Sequence, residues 1–500
     1  MRRVHLLFSE RLPVILILAI CLYTTGIHAQ PGNILYFMKG VPQSNLLNPA
    51  LQPACNFYLG MPGLSPLMLD IESNPLRPHD LFFYDKTLNA PITALDPSAD
   101  RQKLLSLLGN NNFLSTDISS NLVSFGFRAK SLYFSFSVAE KSFLRIGYPK
   151  DLFNAMYYFL LDNNGNPANL DLSGLAVNAS AYNEWSLGVS EKLNDQISVG
   201  IRGKLLLGQA NLSMQNTNIS LNSSLTEWTL TSKFNLNESI PFLETYKDEN
   251  GKTRLDTFTF NSPNKKQILD AAFLKANPGM AVDLGVEVKP ISWLTISASL
   301  VDLGTIVWKR NVNSLKQDTS YVFHGIDISG FANGTDTGNI GSKILDTVKH
   351  VFTAYQTGNK AYRTYLPVKL YVGASINLGE KVSFGLLSMT ELYMGKFTES
   401  VSLSANFMPV KMFSTSFSYS LINNKYHDLG VGIATKGGPF QMYWLLDYFP
   451  TTFDKLRLKN SSVALPVPMY MNAFSLKLGF NLVFGCNQKK KLLQDVPLIE

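Results

Sequence analysis

The chain has 500 residues and a formal net charge of +7, with 45% hydrophobic, 12% aromatic and only 16% charged residues. Soluble domains carry roughly 25% charged residues, so the surface of this protein is poor in charge. A charge this small over this length argues against a dedicated nucleic-acid surface, which would show clustered lysines and arginines. Beyond the N-terminus no stretch has the roughly 18 unbroken apolar residues of a transmembrane helix.

The first 29 residues have the pattern of a secretory signal peptide. A basic segment, 1–11, precedes the apolar run 12–23, and small and polar residues follow up to Ala29. This order of basic, apolar and small residues is typical of exported proteins. We therefore expect export, with cleavage near Ala29. Cys21 suggests lipid attachment as an alternative, but Ile20 is an unfavourable residue before a lipidated cysteine.

The segment that follows is predicted to be a plug or periplasmic segment over residues 30–115. It shows little strand-like alternation and is rich in Pro, Asn and Leu. The sequence predicts a short helix within 98–109 and further helices over 150–161, 264–276 and 341–357. We expect these helices to lie in the plug and in loops.

The decisive pattern further along is a strict alternation of apolar and small polar residues. In the segment 397–408, Phe397, Leu403 and Phe407 share one face, and Ser402 and Ser404 share the other. A period of two places each set on one side of a strand. Segments of this kind are about 9 to 11 residues long, the length that a tilted strand needs to cross a bilayer.

Alternating segments are predicted at 121–129, 131–139, 184–193, 196–209, 211–220, 225–235, 280–289, 293–303, 320–329, 365–378, 381–393, 397–408, 411–421, 427–436, 439–448 and 473–485. A soluble β-sandwich also alternates, but its outer face is usually rich in Lys and Glu, whereas here the polar face is Ser, Thr, Asn and Gly. We therefore predict an all-β fold, a transmembrane antiparallel β-barrel over 116–486. Its strand count should be about 14, within roughly 12 to 16.

The connections give the predicted orientation. Long insertions of such barrels normally face the outside and short turns the periplasm. The segments 236–278 and 330–364 are therefore candidate extracellular loops, and 487–500 is a candidate periplasmic tail. This tail departs from typical barrels, which end on an aromatic residue, because Phe484 is followed by polar residues.

Two cysteines remain after the predicted cleavage, and they lie near the two ends of the mature chain. Cys486 directly follows the last predicted strand, and Cys55 precedes the first. The periplasm permits disulfides, so a bond between Cys55 and Cys486 would tether the N-terminal segment to the end of the barrel. The alternative is two unpaired, buried thiols.

The alternation turns four charged residues towards the lumen rather than the lipid, where a charge near the midplane would cost roughly 2–4 kcal/mol. They are Arg128, Arg202, Lys204 and Glu287. They are candidates for tuning passage or binding a ligand, and the alternative is that they are ordinary solvated pore residues. No histidine pairs with another ligand at metal-binding spacing, and no phosphate loop or nucleophile elbow is present. We expect no enzyme activity, no metal and no cofactor.

Several segments show a family resemblance. Residues 43–53, 57–64, 277–285 and 300–304 resemble an uncharacterised family of outer-membrane barrels from Bacteroidota. More distantly, Asn48, Pro49 and Ala50 are similar to the plug element of fatty-acid-transporter-type barrels, and the Gly-rich strand pairs are similar to the barrel subunit of the type IX secretion system. The resemblance implies a 14-stranded barrel of the outer membrane with an N-terminal plug, and no established activity.

The sequence thus predicts an outer-membrane barrel that acts as a plugged channel or transporter for a hydrophobic or small molecule. The alternative is a non-transporting scaffold or subunit of a surface or secretion complex. Its expected partners are the lipids of the outer membrane and either a small hydrophobic ligand or such a complex, and no nucleic acid.

Overall fold

The computed structural model describes residues 34–38, 40–74, 76–85, 90–94, 96, 99–158, 162, 166–224, 227–247, 253–260, 264–266, 277–323, 355–379, 381–394, 396–422, 426–449, 453–457, 464–468 and 472–486. The predicted signal peptide with its cleavage site, the predicted tail 487–500, and most of the predicted helices 264–276 and 341–357 lie outside these residues. No helix in the described ranges is long and apolar enough to span a membrane.

Helices are few and short. They are α1 (Ile34–Phe37), a 3-10 helix (Pro42–Leu46), α2 (Pro78–Leu81), α3 (Arg101–Leu107) and α4 (Lys150–Tyr158). The structure thus confirms the helices predicted within 98–109 and from residue 150. At the start of α3, Asp100 accepts a hydrogen bond from the backbone N–H of Lys103 at 3.0 Å and so caps the helix. Residues 355–357, predicted to end a helix, belong to a strand instead.

Strands form most of the remaining described residues. They are β1 (Phe57–Gly60), β2 (Leu67–Asn74), β3 (Phe82–Asp85), β4 (Ala90–Thr93), β5 (Asn112–Ala129), β6 (Leu132–Tyr148), β7 (Asn169–Asp171), β8 (Ala176–Lys192), β9 (Ile197–Ser223), β10 (Trp228–Ser239), β11 (Leu243–Lys247), β12 (Thr253–Phe260), β13 (Asn277–Ile291), β14 (Leu294–Trp308), β15 (Val312–Phe323), β16 (Tyr355–Gly358), β17 (Tyr362–Tyr365), β18 (Val368–Leu378), β19 (Val382–Tyr393), β20 (Lys396–Val410), β21 (Phe413–Ile422), β22 (Tyr426–Gly437), β23 (Phe440–Phe449), β24 (Phe453–Arg457), β25 (Ala464–Pro468) and β26 (Ala473–Phe484).

Antiparallel pairing closes these strands into a barrel of fourteen, which confirms the predicted fold class. The order around the wall is β1 with β2, then β5, β6, β8, β9, β13, β14, β17 with β18, β19, β20, β21, β22, β23 and β26. The last strand pairs with the first, Phe484 opposite Phe57 and Leu478 opposite Leu67. Closure gives each described wall strand a partner on both sides, which is the condition for a sheet to exist in a bilayer.

The first barrel strand lies inside the segment that the sequence analysis assigned to the plug. β1 and β2 form a single wall position that is interrupted at 61–66, and both halves pair with β5 on one side and β26 on the other. The predicted boundary between residues 115 and 116 is therefore wrong. The physical reason is that each half is short, four and eight residues, so neither gives the long alternation of a full strand.

β9 is another difference from the prediction, which placed separate strands at 196–209 and 211–220. The structure has one continuous strand of 27 residues. Its first half pairs with β13, up to Gly208 opposite Asn277, and its second half pairs with β10. β10 in turn pairs with β15. The second half of β9 therefore continues beyond the barrel wall into an extension of the same sheet, together with β10 and β15.

The two ends of the barrel differ in their connections. The six connections near Cys486 are all turns of two to four residues: 130–131, 193–196, 292–293, 379–381, 411–412 and 438–439. Apart from the interruption at 61–66, the connections longer than four residues join wall strands at the opposite end. We call these the turn end and the loop end. The loop end includes β11, β12, β16 and β17. These strands belong to the two segments predicted to be extracellular loops, 236–278 and 330–364.

The alternation seen in the sequence separates the outer and inner surfaces of the wall. Leu403 and Phe417 are about half exposed on the outside, whereas Ser402, Ser404 and Ser416 are buried inside. The inner serines bond to one another across neighbouring strands, as between Ser402 and Ser420 at 2.8 Å. The inner serines are buried because the lumen is filled, so they hydrogen-bond to one another and not to water. The contents of the lumen form the candidate site.

Candidate functional site

Residues 34–56 enter the lumen and fill its turn-end half; we call them the plug. Ile34, Leu35 and Val41 are completely buried against Tyr443 and Leu445 of β23. On another side, Tyr36 and Phe37 pack against Tyr371, Leu387 and Met389 of the wall. The plug therefore docks through an apolar surface onto a wall that is otherwise polar.

Asn48, predicted as part of a plug motif, lies at the centre of the docked segment and has no exposed surface. Its side-chain amide donates to the Tyr36 hydroxyl at 3.0 Å and to the backbone carbonyls of Val286 and Ala298 at 3.4 and 3.3 Å. Its side-chain oxygen accepts from the Ala50 N–H at 2.9 Å. Asn48 therefore bonds both to the fold of the plug and to two wall strands.

Glycines of the wall make room for this motif. A Cβ on Gly200 would lie 2.6 Å from the Ala50 nitrogen, and one on Gly285 would lie 2.9 Å from Cδ of Pro49. Both distances are well below ordinary van der Waals contact, so neither position accepts a side chain without moving the plug. The same holds where Phe37 meets Gly385 and Ile34 meets Gly432, each at 2.6 Å. The docking surface therefore depends on wall positions that lack a side chain.

The turn end of the plug is held by a second polar contact. Gln43 exchanges two hydrogen bonds with Asn481 of β26, at 2.7 and 3.0 Å, and donates to Ser65 at 3.1 Å. Ser65 lies in the interruption between β1 and β2. The interruption thus turns a hydroxyl towards the plug.

Above the plug, charged side chains of the wall form three clusters of ion pairs that face the lumen, which together we call the charged belt. Its six basic and seven acidic members are linked by ion pairs: Asp70, Asp117, Lys141, Arg145, Glu184, Arg202, Lys204, Asp283, Asp302, Lys369, Glu391, Asp447 and Lys477. Buried charges of one sign are costly, whereas paired and hydrogen-bonded charges are tolerated. The near balance of the two signs explains how the belt can exist here.

Arg202 and Lys204, both predicted to face the lumen, are central members of the belt. Arg202 donates to Asp283 at 3.2 Å and to the backbone oxygen of Asn45 at 2.9 Å, so it ties the belt to the plug. Lys204 lies 2.8 Å from Asp283 and 2.6 Å from Asp302. A cavity of about 130 Å³ remains between the plug and this part of the belt.

The other two predicted residues lie near the turn end. Arg128 donates to the Gln52 side chain at 2.5 Å and to the Pro53 carbonyl at 2.6 Å. Glu287 is largely buried and pairs with Lys289 at 2.7 Å. The structure therefore places Arg128 and Arg202 against the plug, and it does not bring the four predicted residues into one site. Their role in passage or ligand binding stays a prediction.

Cys55 and Cys486 form a disulfide in the structure, with an S–S distance of 2.03 Å. The bond lies at the turn end, where Cys55 packs with Tyr58, Tyr133 and Val483. It joins the last residues of the plug to the first residues after the last strand. The end of the plug is thus attached to the barrel twice, through the chain to β1 and through the disulfide to the end of β26.

A second cavity, of about 620 Å³, lies at the loop end on the outer side of the wall; we call it the apolar pocket. Outward-facing residues of the wall form its floor, among them Ile71, Leu114, Ile146 and Phe474, and residues of the loop-end segments form its roof, among them Leu76, Leu81, Leu152 and Phe153. Arg77 and Asn472, joined by a hydrogen bond of 3.1 Å, are among its few polar lining residues. The sequence alone gives no sign of this pocket, because its parts come from four distant segments.

The arrangement within the described residues offers no metal site, since no group of three His, Cys, Asp or Glu side chains there could hold an ion. The two places where a ligand could bind differ sharply in chemistry. The lumen cavity is lined by paired charges and hydroxyls, whereas the apolar pocket is lined mainly by Leu, Ile and Phe.

Residues 49–447 match the model of a family described as "Family of unknown function (DUF5723)". No curated protein sequence matches significantly.

Similar solved structures include the toluene transporter TbuX of Ralstonia pickettii, with 9% identity, a TM-score of 0.39, and coverage of 89% of this chain and 94% of that one. They also include a FadL homologue of Pseudomonas aeruginosa, with 10% identity, a TM-score of 0.37, and coverage of 92% and 100%. The toluene transporter TodX of P. putida is similar at 8% identity and a TM-score of 0.34, with coverage of 92% and 94%. Likenesses this distant do not bear on function.

Proposed function

Since the chain belongs to the DUF5723 family, we propose from its own structure that it is an outer-membrane barrel with a closed lumen that binds a small hydrophobic molecule at its loop end, as part of transport. The outer surface supports the membrane location. Large apolar side chains are exposed all around the wall, for example Leu187 at 64%, Leu403 at 55% and Trp444 at 53%. Such a surface is stable only against lipid.

The orientation follows from the connections. In bacterial outer-membrane barrels the short turns face the periplasm and the long segments face the outside. The turn end, with the disulfide, would then face the periplasm, an oxidising compartment. The apolar pocket would lie near the extracellular surface.

The single observation that carries the hydrophobic ligand is the apolar pocket. Its volume of about 620 Å³ is in the range of small-molecule sites, roughly 300–1,000 Å³. The charged belt is unsuitable for such a ligand, because an apolar molecule passing it would desolvate buried charges without replacing their hydrogen bonds. A hydrophobic ligand is therefore expected to stay on the lipid-facing side of the wall, where the pocket lies.

Binding of a fluorescent apolar probe tests this proposal. The full chain in nanodiscs should bind N-phenyl-1-naphthylamine saturably, with increased fluorescence. Phe153→Gln, which removes an aromatic ring from the pocket, should weaken binding by about tenfold or more, because burying such a side chain contributes about 1.5–3 kcal/mol. Met156→Gln is the matched control, since Met156 lies on the same helix, α4, and is 53% exposed.

Two outcomes would contradict the proposal. One is the absence of saturable binding to the wild-type protein. The other is equal binding by Phe153→Gln and Met156→Gln, which would show that the probe partitions into lipid or detergent and does not occupy the pocket.

The filled lumen favours a second candidate, a non-transporting scaffold for a surface or secretion complex. Among the described residues, plug, belt and wall glycines fill much of the lumen, and a cavity of about 130 Å³ lies between the plug and the belt, as expected of a solid support. Deletion of residues 34–50 would distinguish the candidates without removing the barrel strand β1. A plugged channel should then conduct in planar bilayers, whereas a scaffold should conduct little and copurify with a stoichiometric partner.

A further inference from the structure

Each of the six turns at the turn end has a lysine in it or within four residues of it. Together with Arg128 these residues form a ring that we call the basic mouth: Arg128, Lys130, Lys192, Lys289, Lys381, Lys411 and Lys436. The same stretches of sequence hold four acidic residues: Glu191, Asp195, Glu287 and Glu380. One of these, Glu287, is already paired with Lys289 of the mouth. The mouth therefore has an excess of positive charge.

The plug does not neutralise this charge. Residues 40–56, which close the lumen at this end, contain no charged side chain. The belt lies deeper and satisfies its own charges through ion pairs. Among the described residues, the turn-end face of the barrel is thus a neutral floor surrounded by cations.

Strand alternation decides which way part of the ring points. Lys192 lies two residues after the buried Ser190, Lys289 two after the buried Glu287, and Lys436 two after the buried Ala434. Residues two apart share one face of a strand, so these lysines belong to lumen-facing rows. They point towards the barrel axis and away from the lipid headgroups.

We infer that the basic mouth is a docking surface for an acidic segment of a periplasmic protein. Neighbouring turns are separated by two strands, so adjacent lysines are about 10 Å or more apart around the rim. A small anion can reach one or two of them, whereas an extended acidic chain can reach several. Because the lysines surround the lumen, the partner would lie across the end of the plug.

This inference rests on the proposed orientation and not on the apolar pocket. A labelled ten-residue oligoglutamate peptide serves as the probe, with the full chain in phosphatidylcholine nanodiscs and fluorescence anisotropy as the readout. The mouth variant replaces Lys130, Lys381 and Lys411 with Gln. The control variant replaces Lys233, Lys309 and Lys316, which lie at or beyond the loop end, and so changes the net charge equally.

The mouth variant should bind the peptide at least about tenfold more weakly than the wild-type protein. The control variant should lose less than about twofold in affinity, because charges at a contact set affinity and salt dependence whereas remote charges do not. For the wild-type protein, affinity should fall as salt shortens the Debye length from about 10 Å at 0.1 M to about 3 Å at 1 M. This salt titration uses the wild-type protein alone. A heat-modifiability gel checks that the mouth variant and the control variant are folded.

Three results would overturn the inference. Equal losses in the two variants would show non-specific attraction to a basic protein. No binding at low salt would remove the surface altogether. Complete loss of binding when the nanodiscs contain phosphatidylglycerol would assign the lysines to lipid headgroups. Probe binding at the apolar pocket should be unchanged in the mouth variant, so failure here leaves the proposed function standing.

Discussion

The docking of the plug on glycines leads to a prediction that can be tested with one added methyl group. In Gly200→Ala the new Cβ would lie 2.6 Å from the Ala50 nitrogen, so the Asn48–Ala50 segment must move. Gly203→Ala is the matched control, because Gly203 lies on the same strand, β9, with no atom within 4 Å of its would-be Cβ. The two variants differ only in the face of the strand that carries the methyl group.

The magnitude follows from the contacts at risk. Crowding of a packed interface costs about 1–3 kcal/mol, and each hydrogen bond of Asn48 that is broken costs about 0.5–1.5 kcal/mol. Part of the crowding will be relieved by movement, so we expect the docked plug to lose about 1–3 kcal/mol. Since 1.36 kcal/mol corresponds to a factor of ten, the undocked state should become about 5- to 150-fold more populated.

Planar-bilayer recordings provide the assay. Undocking of the plug opens the lumen, so Gly200→Ala should show more frequent conducting events than the wild-type protein, and Gly203→Ala should match the wild type. A second readout is maleimide labelling of a cysteine at Ser44, a plug residue only 3% exposed, which should become faster in Gly200→Ala. If both alanine variants behave alike in both assays, the glycine wall does not control the docking of the plug.

Three further predictions concern the belt, the disulfide and the membrane surface. Arg202→Met should lower the free energy of unfolding by about 3–5 kcal/mol in a urea titration, because it leaves a buried carboxylate without one of its cations; an unchanged midpoint would contradict this. Non-reducing peptide mapping should recover Cys55 linked to Cys486, and two free thiols would refute the bond. Leu403→Arg should destabilise the barrel in lipid by about 2–4 kcal/mol, and Val410→Arg, at the rim of the same strand, by about 0–1; equal effects would argue against a bilayer at mid-strand.

The barrel was largely predictable because its main signal is local. Lipid outside and polar contents inside impose a period of two on every strand, and this period is visible in residues such as Phe397 to Phe407. The lumen-facing side of Arg202 and Lys204 follows from the same period, and thirteen of the fourteen wall positions contain a segment that shows it. The interrupted strand of residues 57–74 escaped prediction because neither piece is long enough to show the period.

The sequence predicts which side chains face the lumen but not which of them contact each other. The period turns Arg202 inward but does not say that it meets Asp283 and Asn45, which are 81 and 157 residues away. The role of Gly200 was equally hidden, since a glycine in a strand can mark a bend, a bulge or a close approach. The apolar pocket combines segments whose distance in space depends on the closed barrel, so its discovery required the structure.

The link between Cys55 and Cys486 has a consequence for the topology of the backbone. These residues flank the seam where the first and last strands pair, Phe57 opposite Phe484. With the bond formed, the wall is a covalent ring of 431 residue steps, and the seam strands cannot slide past each other or separate at this edge. Pairing of the last strand with the first brings the two thiols together, so the oxidised form of the pair marks a closed barrel. A gel shift on reduction would therefore count finished barrels in a mixed population.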